Sequence, residues 1–146
     1  MATDVSGELL NVVEAASESL HRIDEPEASL RSAPDSWSKK EILGHLLDSA
    51  VNNHHRFIRA QEAEELTFPA YEQEHWVNAQ GYRERPWLEL VDSWRLYNRH
   101  LAHVISLIPA ETLGVMCVIG TDEPVSLGYL VEDYVVHLKH HLQELE

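Results

Sequence analysis

The chain has 146 residues, with 25 Asp+Glu against 11 Lys+Arg and a formal charge of −14. That length fits a single domain, 1–146, with a sizeable core, and the acidic balance excludes nucleic acid and anionic membrane surfaces as expected partners. Its one cysteine, Cys117, rules out an intramolecular disulfide; within "VMCVI" it reads as a small buried hydrophobe, in keeping with a reducing, cytoplasmic setting.

The opening stretch "MATDVSGELLNVVEA" lacks the basic residues and unbroken apolar run of a signal peptide, and no segment reaches membrane-spanning length. Periodicity predicts a first helix over roughly 4–21, with Leu9, Val12, Val13, Ala16 and Leu20 on one side. The second helix opens at "WSKKEI" and runs to about Glu62. Ser38 is placed to cap it, Glu41 three residues later completes a capping box, and Trp37 is placed to staple onto Ile42.

Residues 63–85 form a long link with a short helix expected around 72–80, long enough to carry the chain back so that the second and third helices run parallel. The third helix begins at Pro86, keeps Trp87, Val91, Trp94, Leu101, Ile105 and Ile108 on one stripe, and stops before Pro109. A second link, 109–125, holds turn residues and a β-branched run that favours extended backbone. The fourth helix starts near Ser126 and turns Leu127, Val131, Tyr134, Leu138, Leu142 and Leu145 inward. Four amphipathic helices of this length predict an all-α four-helix bundle with long interhelical links.

Helical phase sorts the histidines. At about 100° per residue, His141 lies about 40° and His137 about 80° from the centre of the fourth helix's apolar stripe, on one flank, whereas His140 falls near 140°. His137 and His141 are spaced i, i+4 and so share a face on which two imidazoles can bite one ion. His100 and His103 also share a face, but about 120° and 180° from Trp94, away from the core. A third ligand would come from elsewhere. His45 sits with Glu41, Asp48, Asn52 and Arg56 on the polar side of the second helix. That side reads either as a solvated face or as one wall of a cleft, and spacing alone favours the solvated face.

The segments together resemble a known family. "PDSWSKKEILGHLLDSAVNNHHRF" is similar to the PxxWSxxExxxHLxDxxxxxxxRF signature of the DinB-like, YfiT-like superfamily, and "VEDYVVHLKHHLQEL" to its closing helix. The resemblance covers nearly the whole chain. It implies a four-helix bundle in up-down-down-up order and a divalent metal, zinc or nickel, held by three histidines that fall on His45, His137 and His141. It further implies a metal-dependent enzyme acting on a small-molecule substrate, with a thiol S-transferase using bacillithiol or mycothiol as the leading case. A metal-dependent hydrolase and a non-catalytic metal-binding, stress-associated protein are the alternatives, and a homodimer is compatible with each. Asp133, four residues before His137, is placed either to orient that imidazole or to serve as a solvated carboxylate suiting the helix's N-terminal half, while Asp48, Glu72, Glu74 and His75 are candidates to approach the ion or stay at the surface.

Overall fold

Four long helices meet along their apolar stripes, and two long links cross one flank of the resulting bundle. The computed structural model describes residues 2–146. In chain order the elements are α1 (Ala2–His21), α2 (Glu25–Ser29), α3 (Lys39–Gln61), β1 (Glu65–Phe68), α4 (Gln73–Gln80), α5 (Trp87–Ser106), β2 (Met116–Ile119), β3 (Val125–Ser126) and α6 (Leu127–Gln143), with single 3-10 turns at Tyr82–Glu84 and Ala110–Thr112.

The start of α3 follows from its sequence. Ser38 Oγ accepts from the Glu41 amide, and the Glu41 carboxylate accepts from the Ser38 amide at 3.0 Å, the reciprocal capping box. α6 opens on the same logic, with Ser126 Oγ accepting from the Tyr129 amide. The short α2 is capped by Asp24 and has proline in its first turn. α4 ends at Gly81, whose φ of 62° is the left-handed conformation that a helix C-terminus favours glycine for.

Contacts along the helices fix their directions. Ser6 near the start of α1 donates to the Ala102 carbonyl near the end of α5, and the Trp87 indole at the start of α5 donates to the Leu20 carbonyl, so α1 and α5 are antiparallel. Lys39 at the start of α3 reaches the Leu145 carbonyl beyond α6, which sets α3 against α6 in the antiparallel sense. Glu25 accepts from both Lys40 and the Trp87 amide, placing the starts of α3 and α5 together. The order is therefore up-down-down-up, with α3 and α5 parallel as the long link requires. Leu9, Val13, Leu43, Phe57, Trp87, Val91, Trp94, Leu101, Ile105, Leu127, Val131, Tyr134 and Leu138 fill the core between them.

The two links pair with each other. β1 runs parallel to β2, with Leu66 opposite Cys117, and β3 closes antiparallel onto β2, giving a sheet in the order β1-β2-β3. Cys117 is fully buried beneath this sheet. Of these strands, only β2 lies in a run read from sequence as extended. Among the described residues, no helix is long and apolar enough to cross a membrane.

The polar side of α3 departs from the expectation that it faces solvent. Glu41, His45, Asp48, Asn52 and Arg56 are all buried, at 9% exposure or less. The reason is tertiary cover: α2, α4, the Tyr82 turn and β1 all lie against α3. Glu41 and Asn52 have the hydrogen bonds that burial demands, and Asp48 has them on one oxygen only, its Oδ2 being unpartnered. Glu41 receives a two-pronged bond from Arg31 at 2.9 and 3.1 Å, and Asn52 donates to the Asp48 carbonyl. Asp48 Oδ1 accepts from the Tyr82 hydroxyl at 2.6 Å and from Gln80 at 2.8 Å.

Candidate metal centre and its cavity

α3 and α6 form two walls of a cavity of about 460 Å³, and the links form the rest. From α3 come His45, Ser49, Asn53 and Arg56; from α6 come Asp133, Tyr134, His137 and His141. The links supply Ala70 and Tyr71 on one side and Ile119, Asp122 and Glu123 on the other. All three histidines singled out in the sequence line this one cavity.

His45 is 4% exposed, its ring 5.0 Å from that of His141 in an edge-on contact and 5.2 Å from that of Trp37. Its Nδ1 is buried and has no hydrogen-bond partner. Burial holds the imidazole down to about 4, helped by His141 and opposed by Glu144, so the ring is neutral at pH 7. The antiparallel register of α3 and α6 brings His45 level with His141.

His141 is half-buried, and its Nδ1 lies 3.1 Å from Glu144 Oε1. An ionised Glu144 selects the tautomer with the proton on Nδ1, leaving the lone pair on Nε2. His137 is exposed at 66%, in keeping with its place one turn back on the flank of the stripe. The Asp133 carboxylate stands 3.8 Å from its Nδ1, an ion-pair rather than hydrogen-bond distance. Among the described residues, no group of three or more His, Cys, Asp or Glu stands in metal-holding geometry as the side chains lie. The donor set nonetheless suits a divalent ion: an unpartnered neutral imidazole faces a second ring, and the third lines the same space.

The other candidates sort cleanly. His140 and the pair His100 and His103 are exposed. His100 instead meets His54, whose Nδ1 lies 2.7 Å from the Tyr97 hydroxyl. Glu72, just before α4, and Glu74 and His75 on it are exposed and do not line the cavity. Asp48 is buried but also absent from the lining; burial raises its carboxyl above the usual range against the Tyr82 and Gln80 hydrogen bonds. It ties the α4 segment to α3.

Two participants escaped the sequence reading. Glu144 was hidden in the polar tail of the chain, although its i, i+3 spacing from His141 is the usable signal. Arg56 was grouped with a solvated face, although it lies eleven residues after His45. That is about three turns, leaving a difference of only about 20° in direction.

Comparison with known proteins agrees with the sequence resemblance. YfiT from Bacillus subtilis, described as a probable metal-dependent hydrolase with an unusual four-helix bundle topology, superposes with a TM-score of 0.80 at 17% identity, over 96% of this chain and 81% of that one. At that identity the likeness establishes the fold. No curated protein matches the chain in sequence. A family model of the DinB superfamily, however, matches residues 8–145, taking in all four long helices, the links and the three cavity histidines, and the chain belongs to the DinB superfamily.

Proposed function

We propose that this chain is a divalent-metal-dependent enzyme acting on a small molecule, with His45, His137 and His141 holding a zinc or nickel ion. The reaction we assign is transfer of a low-molecular-weight thiol, of the bacillithiol or mycothiol kind, to an electrophile. One observation carries the metal assignment: the buried, unpartnered imidazole of His45 opens onto the same cavity as the His137 and His141 pair. Bound there, a divalent cation supplies Lewis acidity, favouring the deprotonated form of a thiol or water and polarising an electrophile.

The chain's own residues divide the remaining work. His45 is neutral at pH 7, so its lone pair is available without proton loss. Glu144 accepts the Nδ1 proton of His141 and fixes which nitrogen stays basic. Asp133 steadies His137 electrostatically from 3.8 Å. Trp37 against His45 shields the buried end of the site from water. The cavity, at about 460 Å³, has the size of a small-molecule site.

Metal analysis of protein purified without a histidine tag tests the assignment. About one equivalent of ion per chain is expected. His45→Ala, His137→Ala and His141→Ala should each cut occupancy severely, while His100→Ala and His140→Ala retain it. Full retention in His137→Ala would remove the basis for the site. Hydrolysis is the second reading, favoured by the description of YfiT as a metal-dependent hydrolase. In cobalt-substituted protein, a ligand-field change on adding thiol supports transfer. An unchanged spectrum together with ester or amide cleavage supports hydrolysis.

A further inference from the structure

Most buried charged side chains in this protein have a counterpart. Lys40 meets Glu25 at 2.8 Å, Glu41 is gripped by Arg31, and Asp48 is hydrogen-bonded by Tyr82 and Gln80 on Oδ1, though its Oδ2 has no partner. Among the described residues, Arg56 is the buried charged side chain left with neither ion pair nor hydrogen bond. It is 91% buried, and its Nε is an unsatisfied buried donor. The Phe68 ring lies 5.6 Å from its guanidinium carbon. Burial pulls the guanidinium below its ordinary value, with only partial compensation from Tyr71 and Asp122.

A buried cation with no hydrogen-bonded counter-ion carries a desolvation penalty that an anionic ligand would offset. Arg56 lines the cavity that holds the histidines, on the same face of α3. It stands about 16 Å from His45 along the helix axis, at the opposite end of the cavity. The α6 residues at that end, in antiparallel register, are Tyr129 and Leu130 in its first turn, where the helix dipole also favours negative charge.

We infer that Arg56 is a specificity-determining residue: its guanidinium binds a carboxylate carried by the substrate, at the end of the cavity away from His45 and His141. The geometry suits a guanidinium, whose planar fork matches a carboxylate with two parallel bonds. Charge count selects a carboxylate over a phosphate dianion. Asp122 and Glu123 on the exposed rim and Asp133 on α6 already make the cavity acidic, so a singly charged anion meets less repulsion there than a dianion does. The substrate then has two poles, a carboxylate at Arg56 and its reacting group toward the histidines. This assignment deepens the functional reading above by naming the substrate class, but it does not depend on the ion.

Calorimetric titration of the whole, chelator-treated protein with pentanoate, pentanamide and inorganic phosphate tests it. Pentanoate should bind at least tenfold more tightly than pentanamide or phosphate, and Arg56→Met should lose that preference with far-UV dichroism unchanged. In nitrogen-labelled wild-type protein, the Arg56 Nε–H resonance, assigned by its absence in Arg56→Lys, should shift on adding pentanoate. That readout does not require Arg56→Met to fold. Equal binding of acid and amide, preference for phosphate, or an unmoved Nε–H signal overturns the proposal. So does pentanoate binding that appears only with the ion restored, because the carboxylate would then be a metal ligand. A His137→Ala protein that loses metal but keeps Arg56-dependent binding separates the two readings; one that keeps metal while pentanoate binding fails separates them the other way.

Discussion

Replacing Gly44 with alanine isolates how the polar face of α3 is closed. A Cβ built at Gly44 would lie 2.1 Å from Cδ2 of the Tyr82 ring. Carbon atoms pack at about 3.5–4.0 Å, so ring and helix must part by about 1.5 Å. The Tyr82 hydroxyl, 2.6 Å from Asp48 Oδ1, would then stand at about 4 Å, beyond hydrogen-bonding reach. Overpacking of this kind costs about 1–3 kcal/mol, and leaving a buried polar group short of a partner adds about 1–3 kcal/mol. Glycine-to-alanine in a helix interior returns about 1 kcal/mol. The net expectation is a destabilisation of about 1–5 kcal/mol, or roughly 2–20 °C in Tm for a chain of this size. Urea and thermal unfolding followed by far-UV dichroism measure it. In a Tyr82→Ala background the penalty should largely vanish and the helix-propensity gain should emerge. Gly44→Ala as stable as the parent would refute the account of Tyr82 as the cover over this face.

Acid sensitivity and metal removal give two further tests. Burial pushes the Glu41 carboxyl up, but Arg31 and Ser38 more than offset this and hold it below the usual carboxylate range. A folded-state pKa depressed in this way gives stability that is present above the unfolded value, about 4.3, and is lost as pH falls through the folded one. Arg31→Met should be less stable than the parent at neutral pH, and that deficit should shrink as pH falls through about 4.3, read from urea midpoints between neutral pH and about pH 3; a deficit that stays constant with pH would deny Arg31 that role. Chelation should lower Tm by about 5–15 °C if the ion is present at 100–1,000 times its Kd, with helicity at ambient temperature unchanged. Collapse of helicity would mean that the apolar stripes do not hold the bundle by themselves.

What could be read from the sequence follows the range of the forces involved. α1, α3, α5 and α6 declare themselves because their stripes repeat locally, and the Ser38–Glu41 box marks the start of α3 within one turn. The parallel run of α3 and α5 was suggested by link length, and the full up-down-down-up order was implied by the family resemblance. His137 and His141 were distinguishable from His140, His100 and His103 because phase against a stripe is a local property. The burial of Glu41, His45, Asp48, Asn52 and Arg56 was not legible, because their cover comes from segments ten to forty residues away, such as Arg31 and Tyr82. β1 was missed for a related reason: "ELTF" spans only four residues and takes its pairing from β2 in the other link.

The pairing of β1 with β2 bears on when the cavity comes into being. Its partners, such as Glu65 and Met116, lie about 50 residues apart in the chain, and parallel strands offer no hairpin from which to zip. Closing so long a loop is an entropic cost met before the contacts that repay it, whereas each long helix forms from neighbours in sequence. Helices are thus expected to assemble ahead of the sheet, leaving α3 and α6 side by side while Tyr71 and Asp122 are still unplaced. The same link residues would be the first to release in the native state. Because the strands are hydrogen-bonded to one another, both sides of the cavity mouth should open as one unit, and amide exchange at Thr67 and Val118 should report a single opening free energy below that of the bundle.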